Sequence, residues 1–218
     1  MTELVFILDR SGSMDGLQKD SIGGFNSMIE KQKKEAGKAL VSTVLFNDKT
    51  AVIHDRIPLH RVEKMTEKDY WVGGCTALLD AVGGAIHHIG MIHKYARKKD
   101  VPKKTLFVII TDGMENASAR YSYDRVSKMI AHQKERYGWE FLFLGANIDA
   151  AAEAKRFGID ASRAVNFHCD EEGLQLNYEV VGEAILQVRQ DKELKAAWKE
   201  RIDKDYKKRG RRPAKERR

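Results

Sequence analysis

The sequence predicts an α/β domain with a mostly parallel sheet and helices on both faces. Three observations carry that prediction. Uninterrupted apolar runs at residues 4–8, 105–110 and 141–144 read as strands buried on both faces, as parallel sheets require. The stretches between such runs place apolar residues at helical spacing, so strands alternate with helices. The runs at 4–8 and 105–110 lead into an aspartate, Asp9 and Asp112, as strands do when a site lies at their carboxyl ends.

The first strand is residues 4–8. Leu17, Ile22, Phe25, Met28 and Ile29 then predict a helix that ends near Gly37. Residues 40–46 and 51–57 read as two strands joined by a tight turn at Asn47-Asp48, which makes them a hairpin and gives the sheet one antiparallel edge strand. Leu78, Leu79, Val82, Ala85, Ile86, Ile89, Ile92 and Ala96 form the clearest amphipathic helix. After the strand at 105–110, Val126, Met129, Ile130 and Tyr137 mark another helix. The strand at 141–144 is ended by Gly145. A short helix (150–157), a short strand (164–167) and a helix (174–188) follow. From Asp191 the pattern changes: Leu194, Trp198, Ile202 and Tyr206 recur every four residues in a highly charged segment. The expected organisation is a domain at 1–190, an amphipathic helix at 191–206 that packs by that stripe, and a basic, disordered tail at 207–218.

The totals narrow the function. The 218 residues carry 39 Lys+Arg and 32 Asp+Glu, a net charge of +7. Residues 206–218 hold eight basic residues and one acid, Glu216, so the tail carries the whole excess and residues 1–205 are neutral. That excludes a protein that coats nucleic acid with a uniformly basic surface. No apolar run approaches the ~18–20 residues of a membrane span, and the N-terminus lacks the basic start and apolar length of a signal peptide. Cys75 and Cys169 lie far apart and form no C-x-x-C pair, which suits free thiols in the cytoplasm.

The loops at the carboxyl ends of the strands carry the chemistry. The first strand runs into Asp9-Arg10-Ser11-Gly12-Ser13-Met14, the strand at 105–110 into Thr111-Asp112-Gly113, and the best helix begins after Gly73-Gly74-Cys75-Thr76. Two carboxylates and three hydroxyls therefore meet at one edge. All are hard oxygen donors, suited to Mg²⁺ or Mn²⁺. With no thiolate or imidazole in the set, zinc is disfavoured.

Asp9-x-Ser11-x-Ser13, Thr76 after a glycine pair, and Asp112-Gly113 resemble the metal-ion-dependent adhesion site of von Willebrand factor A domains. The resemblance spans roughly residues 3–170. The segments at 9–14 and 111–116, and less specifically 144–149, look like the small stand-alone bacterial and phage versions. It implies a three-layer, Rossmann-like α/β/α fold. It also implies a metal ion, Mg²⁺ with Mn²⁺ or Ca²⁺ as alternatives, bound directly by the Ser11 and Ser13 hydroxyls. Thr76 would bind directly or through water, and Asp9 and Asp112 mostly through waters. The open position would take an Asp or Glu of a partner protein, making the chain a non-enzymatic adaptor.

Other residues admit two readings. Tyr70 and Trp71 precede the glycine pair, where they would rim the metal face or fill the core. Glu115 and Asn116 would shape their loop or touch the partner. His87, His88 and His93 lack the three- or four-residue spacing of helical metal ligands and read as a solvated face. Cys169 reads as a small packed side chain. In the tail, Arg209-Gly210-Arg211-Arg212-Pro213 resembles the Arg-Gly-Arg-Pro core of an AT-hook with one arginine inserted, so weak nucleic-acid contact through Arg209, Arg211 and Arg212 is the alternative function. A Mg²⁺-dependent phosphohydrolase that uses Asp9 as nucleophile would need an acid two positions on, where Ser11 stands.

Overall fold

The computed structural model describes residues 1–210. At its centre is β1 (Thr2–Asp9), paired in parallel on one side with β2 (Ala39–Phe46) and on the other with β4 (Lys104–Thr111). The chain builds outward from there. Beyond β2 lies the antiparallel edge strand β3 (Thr50–Pro58). Beyond β4 lie β5 (Glu140–Ala146) and β6 (Ala164–Phe167), both parallel. The six-strand order is β3-β2-β1-β4-β5-β6. The chain adds β2 on one side of β1 and then crosses to the other for β4. The loops after β1 and β4 therefore lie side by side at the point where the winding reverses, where α/β sheets place their ligands.

The alternation within β1 explains the layers. Leu4, Phe6 and Leu8 face one core with Phe25, Met28, Tyr178 and Val181, from α1 (Gln18–Lys33) and α5 (Glu171–Arg189). Val5 and Ile7 face the other with Leu78, Val82, Val126, Ile130 and Phe157. That core is covered by α2 (Leu78–Tyr95), α3 (Tyr123–Tyr137) and α4 (Ala150–Arg156). A strand buried on both sides has no polar face, which is why its sequence shows no alternation. Phe25 meets Phe6 edge to face, with ring centroids 5.4 Å apart. Truncating so buried an aromatic costs about 3–5 kcal/mol.

The C-terminal stripe is real, but it is cut into two pieces. After α5 the chain turns at Asp191 in the left-handed region (φ 59°). A short 3₁₀ turn (Ala196–Lys199) follows, and α6 (Glu200–Gly210) begins only then. Leu194, Trp198 and Ile202 are buried as expected. Trp198 Nε1 donates to the Ser162 carbonyl at 2.9 Å. Helix α6 packs against β6 and covers that edge strand, which would otherwise offer unpaired backbone groups. The helix continues through Gly210, so residues 207–210, expected in a disordered tail, are helical. The reason is Arg209, whose guanidinium grips Asp205 one turn back and Asp170 at the start of α5. Residues 211–218, including Arg211 and Arg212, lie outside the described residues. No helix of the described residues is long and apolar enough to cross a membrane.

Candidate metal centre

β1 ends at Asp9, which is 2% exposed. Its Oδ1 accepts the Ser11 amide at 2.8 Å, and its Oδ2 accepts the Thr111 hydroxyl at 2.6 Å. The carboxylate thus bends its own loop back and ties the ends of β1 and β4 together. From that turn Ser11 Oγ lies 3.2 Å from Ser13 Oγ, and Ser13 Oγ donates to Asp112 Oδ1 at 2.6 Å. Ser11 is buried while Ser13 is exposed, so the hydroxyl row leads from the sheet edge to solvent.

Thr76 joins this row from the other side. A Cβ at position 113 would sit 3.4 Å from Thr76 Oγ1 and 3.6 Å from Ser13 Oγ. Both hydroxyls therefore lie beside Gly113, within contact distance of one point. Thr76 Oγ1 makes no hydrogen bond among the described residues, so its lone pairs remain available. The Thr76 loop is fastened by backbone: the Gly12 amide donates to the Gly74 carbonyl at 3.1 Å, and the Gly73 amide to the Arg10 carbonyl at 3.1 Å. Gly74 has a φ of 79°, and a Cβ there would fall 2.1 Å from Asp48 Oδ1. Only glycine meets both demands.

The electrostatics follow from burial without neutralisation. Burial raises the pKa of Asp9 and of Asp112, while the hydroxyl and amide hydrogen bonds pull the other way. Neither carboxylate has a basic partner among the described residues. Two desolvated acids with no counter-charge, fronted by hydroxyl oxygens, leave a negative site that a cation would relieve. Among the described residues no three His, Cys, Asp or Glu side chains converge as a metal cluster. The five convergent side chains are two carboxylates and three hydroxyls. That set fits a hard divalent ion that keeps several waters.

The remaining expected residues divide. Tyr70 is buried in the core, and its hydroxyl donates to the Asp9 carbonyl. It fixes the end of β1 from below rather than meeting a partner. Trp71 stands at the surface, 51% exposed, with the Arg10 guanidinium 4.2 Å above its ring. Glu115 and Asn116 turn inward to bind backbone. Asn116 Oδ1 accepts the Thr76 amide at 2.8 Å, and its own amide donates to the Thr76 carbonyl. Glu115 accepts the Leu79 amide at the start of α2 and the amides of Ala117 and Ser118. Their first role is to couple the Asp112 loop to the Thr76 loop. Arg209, expected to reach nucleic acid, is 11% exposed at its side chain and occupied by Asp170 and Asp205.

Three contributors escaped the sequence reading. Asn47 is fully buried. Its Nδ2 donates to the Gly73 carbonyl at 2.7 Å, and its carbonyl accepts the Ala77 amide. Like Asp9 and Asp112 it follows a strand, and that position was the available signal. Thr111 was read only as the start of the loop after the 105–110 strand; it closes β4, and its hydroxyl donates to Asp9 Oδ2. The Cys169 thiol faces Asp112 Oδ2 at 3.7 Å, and burial together with that carboxylate pushes its pKa up to about 12.

No protein-family model matches the sequence, and no curated protein matches it. Solved structures do share the fold. A von Willebrand factor type A protein from Catenulispora acidiphila superposes with a TM-score of 0.58 at 15% identity over 85% of this chain and 42% of its own. Proximal thread matrix protein 1 from the mussel byssus, with a zinc-occupied MIDAS motif, gives 0.57 at 14% identity over 85% and 46%. The ArnB paralog VWA2 from Sulfolobus acidocaldarius gives 0.51 at 14% identity over 85% and 44%. The chain spans less than half the length of these three proteins. At such identities the likeness establishes the fold, a von Willebrand factor A-type α/β/α sandwich, and nothing finer.

Proposed function

We propose that this chain is a metal-dependent protein-interaction domain of the small stand-alone bacterial or phage type, and not an enzyme. Ser11 and Ser13 would hold a Mg²⁺ ion through their hydroxyls, with Thr76 at or one water from the metal. Asp9 and Asp112 would accept from its waters and orient the hydroxyls. When bound, the ion supplies a Lewis-acidic position open to an Asp or Glu carboxylate of a partner protein. Mn²⁺ and Ca²⁺ satisfy the same oxygen chemistry.

One observation carries the reading. Asp9 and Asp112 are desolvated and unpaired among the described residues, behind a row of hydroxyls that opens to solvent. Few direct charges on the ion leave it electrophilic, which favours an incoming carboxylate. The zinc-occupied motif of the mussel protein supports a divalent ion in this fold. Trp71 and Met114, 51% and 64% exposed on the loops that carry the site, supply apolar contact beside the metal. A cytoplasmic location suits the two unpaired cysteines.

The test is affinity capture from the native host with Mg²⁺ and with EDTA, beside calorimetric titration of Mg²⁺. Partners retained by the wild type with Mg²⁺ should be lost with EDTA and in Ser11→Ala. An identical partner set under all three conditions overturns the metal bridge. Hydrolysis of p-nitrophenyl phosphate that vanishes in Asp9→Asn would overturn the non-enzyme assignment.

A further inference from the structure

A second concavity lies at the opposite edge of the sheet from the metal centre, between the C-terminal halves of α2 and α3. Its volume is about 490 Å³, within the ~300–1,000 Å³ of small-molecule sites. Pro102 and Trp139, which precede β4 and β5, form its floor with Ile86, and all three are buried. Met129 and Met91 extend the apolar wall. Trp139 is held between Phe107, with ring centroids 5.3 Å apart, and the edge-on His93 ring at 5.5 Å, so the floor is rigid and largely apolar.

The rim carries the opposite character. Lys94, Lys98, His87 and His132 are exposed around the opening. Among the described residues neither lysine has an ion-pair or hydrogen-bond partner, and neither imidazole is hydrogen-bonded. His93 also lines the cleft, but its Nε2 is engaged with Glu3 Oε2 at 3.1 Å. No carboxylate lines the cleft among the described residues. An apolar floor beneath two lysines that no acid neutralises, Lys94 meeting only the Tyr95 ring 5.4 Å away, is complementary to a flat apolar body bearing one negative charge.

We propose that this cleft binds an amphipathic organic monoanion, an aromatic or fatty carboxylate or its sulfonate equivalent. Its apolar body would lie on Trp139 and Ile86, and its acid group would meet Lys94 and Lys98. The methionines suit ligands of varied shape, because the unbranched thioether adapts to irregular surfaces.

Gly90 provides the block. It lines the cleft from α2, and a Cβ there would meet only the flexible end of Gln133, 3.3 Å away. Leucine at 90 would fill the cleft while improving helix propensity, so the fold should survive. The probe is 8-anilinonaphthalene-1-sulfonate, titrated by fluorescence into the full chain, with uncharged N-phenyl-1-naphthylamine as control. One saturable site per chain is expected. Its affinity should fall at least about tenfold in Gly90→Leu and in Lys94→Glu/Lys98→Glu, and the neutral analogue should bind at least about tenfold more weakly. Absence of a saturable one-to-one site, or affinity unchanged in Gly90→Leu with its melting temperature retained, overturns the site. Equal binding of the neutral analogue, or an unchanged affinity in the double lysine variant, overturns the anion preference.

Discussion

The Ser13 hydroxyl donates to Asp112 Oδ1 at 2.6 Å across 99 positions of sequence. That bond joins the loop after β1 to the loop after β4 and orients the one exposed hydroxyl of the row. Ser13→Ala removes a proposed ligand and the proton that positions Asp112. Mg²⁺ affinity should fall about 10–100-fold, the usual loss when a group that orients or completes a metal shell is removed. Asp112→Asn should abolish Mg²⁺ binding while raising the melting temperature of the metal-free protein, because it deletes a buried charge that has no basic partner. Calorimetry and thermal melts in EDTA check the pair. A Ser13→Ala protein that binds Mg²⁺ as the wild type does would remove Ser13 from the site.

The raised pKa values of Asp9 and Asp112 set a pH dependence whose sign is opposite to that of a salt bridge. A carboxyl with a higher pKa in the folded state binds its proton more tightly there. The metal-free fold is therefore favoured at low pH by these groups and loses that advantage as pH rises from the ordinary value of 3.8 through the folded values. Mg²⁺ needs the deprotonated forms, so its affinity should fall as pH drops through the same window. The melting temperature of wild type minus that of Asp112→Asn, followed from pH 4 to 8 in EDTA, should become more negative with rising pH, and Mg²⁺ should reverse the trend. A flat difference would mean that Asp112 is not held out of water.

Much of the architecture was readable because it rests on local signals. A strand buried on both faces needs a solid apolar run, and β1, β4 and β5 show one; α2 announces itself by period. The five oxygen-bearing residues were readable because three loops each ended a strand or began a helix with the same donor chemistry. What was hidden depends on partners distant in sequence. Nothing local distinguishes an Asn47 that only turns a hairpin from one that also holds the Gly73 carbonyl. Tyr70 reaches the Asp9 carbonyl across 61 positions, and Glu115 reaches the start of α2 across 36. The stripe from Leu194 to Tyr206 kept its period through a 3₁₀ turn, so burial was legible there while the start of the helix was not.

The ties from Glu115 and Asn116 should matter to both stability and metal. Asn116→Ala leaves the Thr76 amide without its side-chain acceptor and frees the loop that presents Thr76. A loss of about 1–2 kcal/mol is expected in urea unfolding, together with weaker Mg²⁺ binding. Glu115→Ala strips an acceptor from three amides, including one in the first turn of α2, and should cost at least as much. Neither change should alter partner binding beyond what the lost metal affinity explains. Normal Mg²⁺ binding but lost partner capture in Asn116→Ala would return that residue to the partner surface.

The clamp at the C-terminus yields the last expectation. Asp170 caps α5 by accepting the Gly173 amide with Oδ1 and offers Oδ2 to Arg209 at 2.6 Å. The residue before it, Cys169, touches Asp112, so the clamp lies beside the candidate metal site. Burial acts to raise the Asp170 pKa, but the Arg209 hydrogen bond and the Gly173 amide outweigh it and hold the carboxyl below its ordinary value. Asp170 is half exposed, so solvent screening reduces the pair to about 1 kcal/mol. A depressed folded pKa gives stability that is present above the unfolded value of 3.8 and is lost as pH falls through the folded one. Arg209→Ala should therefore destabilise the protein by about 1 kcal/mol at pH 7, with a difference from wild type that shrinks below pH 3.8. Hydrogen exchange at pH 7 should locate the loosening in α6 and at the start of α5, and exchange unchanged in both segments would show that the clamp holds nothing in place.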